Sequence, residues 1–278
     1  MKKHNFYGPA EVASIFSESG VDKVKRGAAD LLVLGILAGA YIAVAGLVSL
    51  VIGHDLVQHM GVGAARLIIG SVFTLGLALV VLAGAELFTG NCLLSVPLLD
   101  GRITWRGLLY NWAIVYFANF GGGLLIAALA DAATVGSMNG GLLGSYAADV
   151  AVGKVSMSFS VAFFRGILAN WLVCLAVWIA AGAKDFAGKI LGFFLPIMGF
   201  VAINLEHSVA NMFFVPYGLM QSGNFDLPHL MEFLWKNLLP VTLGNIIGGA
   251  VFVGAAYWWL YLRRREQGPG NDKARVEG

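Results

Sequence analysis

Residues 190–219 read ILGFFLPIMGFVAINLEHSVANMFFVPYGL, a stretch apolar enough to cross a bilayer, yet Asn204, Glu206, His207, Ser208 and Asn211 sit at its middle. Polar and ionisable groups at bilayer depth are expensive, so they face a protein interior or a watered cavity. An imidazole there, with an ordinary pKa of about 6.5, can exchange a proton close to neutrality. A second such place lies at residues 84–91, where Glu86, Thr89 and Asn91 interrupt an apolar run beside Gly84 and Gly90. Taken together, these groups offer the chemistry of a transport site: hydrogen-bond donors standing where a small solute must shed its water.

Such groups can be presented only by broken helices. Gly199 is followed by the β-branched Val201 and Ile203 and then by Ser208, a good N-cap residue. The pattern predicts one half-helix ending near Phe200, a short irregular crossing, and a second half-helix starting near Ser208. Irregular backbone is tolerated at membrane depth where it lines a cavity or is buried in protein.

Composition sets the frame. Hydrophobic residues make up 58% of the 278 positions and charged residues only 12%, far from the soluble globular range. A spanning helix needs roughly 20 apolar residues. Runs at 31–53, 67–85, 107–130, 166–183 (beginning near Ser156), 190–205 with its continuation, and 237–262 meet that need. The expected organisation is a cytoplasmic N-terminal segment at 1–30, a six-helix transmembrane domain at 31–262 and a cytoplasmic tail at 263–278. The first apolar run is too long for a cleaved signal peptide. Lys and Arg number fourteen in the segments 1–30, 98–106, 183–189 and 263–278, but only three, Arg66, Lys154 and Lys236, in the alternate connections. By the positive-inside rule both termini are expected in the cytoplasm.

Some features have bland readings. Cys92 and Cys174 have no zinc or redox spacing and read as apolar packing. His54 and His59 fall in the connection 53–66 and make no metal site by themselves. Val12, Ile15 and Phe16 recur at helical spacing between polar residues, as in a surface helix that either anchors at the membrane or gates a pore from below. Connections are expected at 131–155 and 218–236.

The two halves echo each other. Asn111-x7-Asn119-x2-Gly122-Gly123 recurs as Asn237-x7-Asn245-x2-Gly248-Gly249, and Gly35-Ile36-Leu37-Ala38 recurs as Gly166-Ile167-Leu168-Ala169. The run interrupted at Glu86 then pairs with the run interrupted at Glu206. Three spans per copy is an odd number, so the second copy must be inserted upside down. The expected fold class is an all-α membrane protein of six transmembrane helices, an inverted 3+3 repeat with the second and fifth helices broken, and a substrate path between the halves.

Four motifs, AELFTGN at 85–91, GILANWLVC at 166–174, EHSVANM at 206–212 and PVTLGN at 240–245, resemble the formate/nitrite transporter family over residues 10–262. The resemblance implies a homopentamer of aquaporin-like protomers in the inner membrane, each with its own pore for small monovalent anions such as formate, nitrite, hydrosulfide or lactate. It implies a substrate path at His207, Thr89 and Asn170, and apolar constrictions at Phe73, Leu77, Phe88 and Phe200. A charge and hydrogen-bond cluster follows from it at Lys154, Glu206 and Asn211. Glu86 is expected to mirror Glu206, which should turn from the path and be neutralised by Lys154 or loop amides. His207 either protonates the anion or acts as a fixed neutral donor.

Two residues depart from the formate-channel pattern. Arg165 stands where an apolar residue is usual, and either attracts anions or contacts a neighbouring protomer. Asn204-Leu205 replaces a commoner small pair or aromatic. The substrate branch therefore stays open.

Rival classes lack their signatures. There is no His-Glu-x-x-His, no paired membrane aspartate, no Gly-x-Ser-Gly nucleophile, no second histidine for a haem and no Asn-Pro-Ala pair of a water channel. The sequence calls for no catalysis, cofactor or metal. Its expected partners are lipid, a small anion and further copies of the chain, not nucleic acid.

Overall fold

The computed structural model describes residues 6–263. The expected C-terminal tail, apart from Arg263, lies outside the described residues. Within them the fold is helical, with one isolated bridge pairing Phe6 with Ala183.

An amphipathic helix α1 (Pro9–Lys25) opens the chain. Proline fits its first turn, and the Glu11 carboxylate reaches back to the Gly8 amide at 2.7 Å. Next comes α2 (Ala28–Ala78), which absorbs the connection expected at 53–66. Nothing in 53–60 stops a helix, and the chain turns only at Gly61, whose φ of 73° favours a residue without Cβ. The two arms pack back against each other: a Cβ on Gly76 would lie 3.0 Å from Ala45, and one on Gly53 would lie 2.9 Å from Ile69. With its π-helical extension this unit runs Ala28–Gly84, 57 residues, far more than the roughly 20 of one crossing.

The chain then breaks. Ala85 and Leu87 are extended, and a short helix α3 (Phe88–Asn91) leads through a 3-10 turn into α4 (Ser95–Leu99). After it α5 (Trp105–Ala132) is capped by the Thr104 hydroxyl, 3.2 Å from the Gly107 amide. The expected connection 131–155 is mostly helical. Its reversal is confined to Thr134, Asn139, Gly140 and Gly141, all at positive φ, and α6 (Leu142–Val155) follows at once.

The second half opens with α7 (Phe159–Gly182). Then α8 (Phe186–Ala202), capped by Asp185, ends at an irregular crossing where Asn204 has φ of 61°. The chain resumes as α9 (Ser208–Gln221) and turns at 222–226, so the connection expected at 218–236 is short. A final helical run, Leu227–Tyr261, combines α10 (Leu227–Phe233), α11 (Leu239–Ile246) and α12 (Ala256–Tyr261) through two π-helical stretches.

Four runs, Ala28–Gly84, Trp105–Ala132, Phe159–Gly182 and Leu227–Tyr261, are long and apolar enough to cross a membrane, with the shorter apolar pieces Phe88–Leu99 and Phe186–Ala202 beside the breaks. Glycine sets how closely they cross. A Cβ on Gly122 would stand 2.1 Å from the Ile36 carbonyl, and one on Gly248 would stand 2.2 Å from the Ile167 carbonyl. Close backbone approach through small residues is how helices associate in lipid. It brings α5 onto α2 and the last helix onto α7, and so delivers a row of asparagines to each break.

Candidate functional site

Each break leaves buried backbone and a buried carboxylate that must find partners. At the first, Glu86 is 1% exposed. Its carboxylate accepts from Lys23 at 2.9 Å, from Arg26 at 2.8 Å and from the Asn91 amide at 2.7 Å. Asn91 also donates to Asn111 Oδ1 at 2.9 Å, and Asn111 donates to the Lys23 carbonyl at 3.3 Å. One further side chain fixes the backbone. Asn119 accepts from the Phe88 amide at 2.9 Å and donates to the carbonyls of Gly35 (2.8 Å) and Glu86 (2.9 Å).

The same bonds recur at the second break. Glu206, also 1% exposed, accepts from Lys154 at 3.0 Å, Asn211 at 2.6 Å and Asn237 at 3.2 Å. Asn211 donates to Asn237 Oδ1 at 2.7 Å, and Asn237 donates to the Lys154 carbonyl at 3.0 Å. Asn245 accepts from the Ser208 amide at 2.9 Å and donates to the carbonyls of Gly166 (2.8 Å) and Glu206 (3.0 Å). Glu86 and Glu206 are thus buried and neutralised, but only Glu206 turns from both cavities, Glu86 bordering one of them with its paired cations. The sequence pattern gives no role to Lys23, Arg26 or the clamps Asn119 and Asn245, although the repeated Asn-x7-Asn spacing already marks both clamps.

The breaks differ at the residue before each half-helix. Leu87 holds that place in the first, and His207 in the second. The cap is not the expected Ser208: the imidazole Nδ1 accepts from the Ala210 amide at 3.1 Å. A nitrogen that accepts a backbone N–H holds no proton of its own, so the neutral ring carries its hydrogen on Nε2. Nε2 lies 2.9 Å from Thr89 Oγ1, which can accept that hydrogen and keep its own O–H for another acceptor. Thr89 is itself held by its carbonyl, which receives Asn170 at 3.1 Å and Cys174 at 3.3 Å.

Two cavities approach this pair. One, of about 730 Å³, is bordered by α1 and lined by Lys23, Arg26, Leu34, Leu77, Glu86 and Leu87. We call it the N-side vestibule. The distal vestibule, about 340 Å³, is lined by Ser49, Arg66, Phe73, Lys154, Phe200 and His207 among others. They share no lining residue. About 22 Å of helix, at roughly 1.5 Å per residue, separates Leu34 from Ser49.

Of the expected constriction residues, Phe73 and Phe200 close the distal vestibule edge to face, with centroids 5.7 Å apart, and Phe200 lies 5.9 Å from the His207 ring. Leu77 borders the N-side vestibule. Phe88 borders neither: its ring packs on Tyr116 and Trp112 at 4.8 and 5.9 Å, and Leu87 faces the cavity instead. Asn170 is fully buried and lines neither vestibule; it supports Thr89 from behind. Arg165 also lines neither, and its guanidinium donates to Met157 Sδ at 3.4 Å. Among the described residues no cluster of three potential metal ligands exists.

Comparison with known proteins gives the chain's family. The model of the formate/nitrite transporter family covers residues 10–259. A probable formate transporter of Methanothermobacter thermautotrophicus is 41% identical over 93% of this chain and 98% of its own. The formate channel FocA of Escherichia coli is 38% identical over 93% and 95%. Among solved structures, a pentameric formate channel with formate bound superposes with a TM-score of 0.74 at 35% identity, covering 85% of this chain and 98% of that one. An FNT family ion channel gives 0.79 at 28% identity, with coverages of 90% and 98%. These relatives are channels and transporters, not enzymes, and the apolar helices fit a multi-pass membrane protein. The chain belongs to the formate/nitrite transporter family.

Proposed function

We propose that this chain carries formate, or a closely related small monovalent anion such as nitrite or hydrosulfide, across the inner membrane through a path within each protomer of a homopentamer. In this reading six transmembrane helices form two inverted halves, and both termini are cytoplasmic. The N-side vestibule then opens to the cytoplasm and the distal vestibule to the outside. The domain limits are those set out above: an N-terminal segment at 1–30, the channel at 31–262 and a tail from 263.

The observation that carries the proposal is the His207–Thr89 pair, 2.9 Å apart: His207 lines the distal vestibule, and Leu87 and Gly90, which flank the buried Thr89 in sequence, line the N-side one. A bare anion entering a dry apolar ring loses several kcal/mol of hydration. An Nε2–H and a free hydroxyl offer replacement donors where that loss is greatest. The N-terminus of the 14-residue α9 adds partial positive charge, its Ser208 and Ala210 amides being already bonded to Asn245 and His207. Asn170 positions Thr89, while Lys154, Glu206, Asn211 and Glu86 hold the breaks in shape.

The Nδ1 cap favours the fixed neutral donor over direct protonation of the anion by His207. A second proton on the ring would meet the Ala210 amide head-on and forfeit the cap. The test is flux of formate, nitrite, hydrosulfide and glycerol into liposomes holding the purified protein, with internal pH recorded. Anion flux exceeding glycerol flux is expected, and faster glycerol entry overturns the proposal. In His207→Asn, a residue that still caps, proton coupling that persists supports the neutral-donor version. Coupling lost while anion flux survives restores the protonation version.

A further inference from the structure

The two vestibules differ in charge. The N-side vestibule is lined by Lys23, Arg26, Asp30 and Glu86, two cations against two carboxylates, and both cations are bonded to Glu86. The distal vestibule is lined by Arg66 and Lys154 and by no carboxylate among the described residues, and Lys154 is spent on Glu206 outside the lining. Arg66 is left as an uncompensated positive charge. Its exposed guanidinium makes no hydrogen bond or ion pair among the described residues. Two more donors stand in the same cavity without a hydrogen-bond partner among the described residues: the Tyr146 hydroxyl and the side-chain carboxamide of Asn204, whose backbone N–H donates to the Val201 carbonyl.

These donors come from separate parts of the fold. Arg66 is on the second arm of α2, Tyr146 on α6, and Asn204 in the second break, where a φ of 61° sets its backbone aside from both flanking helices. Three unpaired donors converging on a cleft with apolar walls concentrate field lines and local anions. Among the described residues no unpaired cation lines the N-side vestibule.

We infer that Arg66, Tyr146 and Asn204 form an anion-capture site in the distal vestibule that selects planar monoanions with two oxygens before they reach Phe73 and Phe200. This rests on the transport reading above and adds a substrate class to it. The guanidinium presents parallel N–H groups that fit two oxygens of one small anion, which a lysine ammonium does not. Formate and nitrite have that shape. Hydrosulfide does not, and gains only the point charge.

The test is anion current through the purified, full-length protein in a planar bilayer, with formate, nitrite or hydrosulfide added to one face at a time. For Arg66→Gln, the half-saturating formate concentration is expected to rise about fivefold on one face only, the factor one unit charge exerts at ~4 Å in water. Maximal current should hold, and the effect should shrink at high salt. Arg66→Lys should restore hydrosulfide capture and leave formate and nitrite capture impaired. Since Arg66 makes no hydrogen bond or ion pair among the described residues, both variants are expected to assemble. An unchanged half-saturation on both faces, or full rescue of formate by lysine, overturns the inference and leaves the transport reading standing. A wild-type protein that passes none of the three anions overturns the transport reading instead.

Discussion

At residues 85–87 the chain crosses from one helix to the next with Leu87 ahead of the half-helix; at 203–207 it makes the corresponding crossing with His207 in that place. Around both crossings the supporting atoms are the same: a buried glutamate, a lysine, two asparagines in series and one asparagine clamping the backbone. What the two breaks share is what broken helix requires inside a membrane. What they do not share is where the chemistry lies. A leucine lines the N-side vestibule and an imidazole lines the distal one, so the two approaches to the breaks end on different side chains.

The comparison breaks most readily at the lysines. Lys154→Met leaves Glu206 without a cation, and removing one partner of a buried pair costs about 3–5 kcal/mol. Lys23→Met leaves Arg26 on Glu86 and forfeits charged hydrogen bonds worth about 1.5–3 kcal/mol. Thermal dissociation of the detergent-solubilised assembly should therefore rank Lys154→Met well below Lys23→Met; equal losses would deny the difference in neutralisation. The clamps sharpen the likeness. Asn119→Ala and Asn245→Ala each free one buried N–H, a loss of about 1–3 kcal/mol, and the two melting shifts should agree. A marked inequality would show that only one break bears on stability.

The caps come next. His207→Leu copies the first break onto the second. It removes a cap worth about 0.5–2 kcal/mol and leaves Thr89 Oγ1 without its partner, so anion flux should fall roughly tenfold, the equivalent of one hydrogen bond, while assembly survives. Retained flux would strip His207 of its role. The reciprocal Leu87→His should have the smallest effect: little change in stability, and a new dependence of flux on the pH of the N-side solution alone. A response to pH on both sides would mean the vestibules are not separated as the cavities indicate.

Much of this was legible in the residues. A glutamate in an apolar run marked each break, with Gly84 and Gly90 beside Glu86 and Gly199 upstream of Glu206, and the matched Asn-x7-Asn spacing announced that the halves share a scaffold. His207 and Thr89 were paired from their motifs, and they touch. The partners of Glu86 were not legible, because Lys23 and Arg26 lie some sixty residues upstream and only the fold brings α1 back. The resemblance implies Phe88 at the constriction, and Leu87 lines the cavity in its place. In extended backbone adjacent side chains point opposite ways, and composition alone does not fix which of two neighbours faces the cavity. Ser208 was the expected cap because hydroxyls usually are; the imidazole took that position through Nδ1, a role few helices give to histidine.

One property of the clamps reaches back to synthesis. Every bond from Glu86, Asn91, Asn111 and Asn119 ends on a residue between Lys23 and Asn119, and every bond from Glu206, Asn211, Asn237 and Asn245 ends between Lys154 and Asn245. By the time α5 has left the ribosome, the nascent chain holds everything needed to quench the charge it has carried into lipid. The first half can wait, already settled, for a second half still being translated.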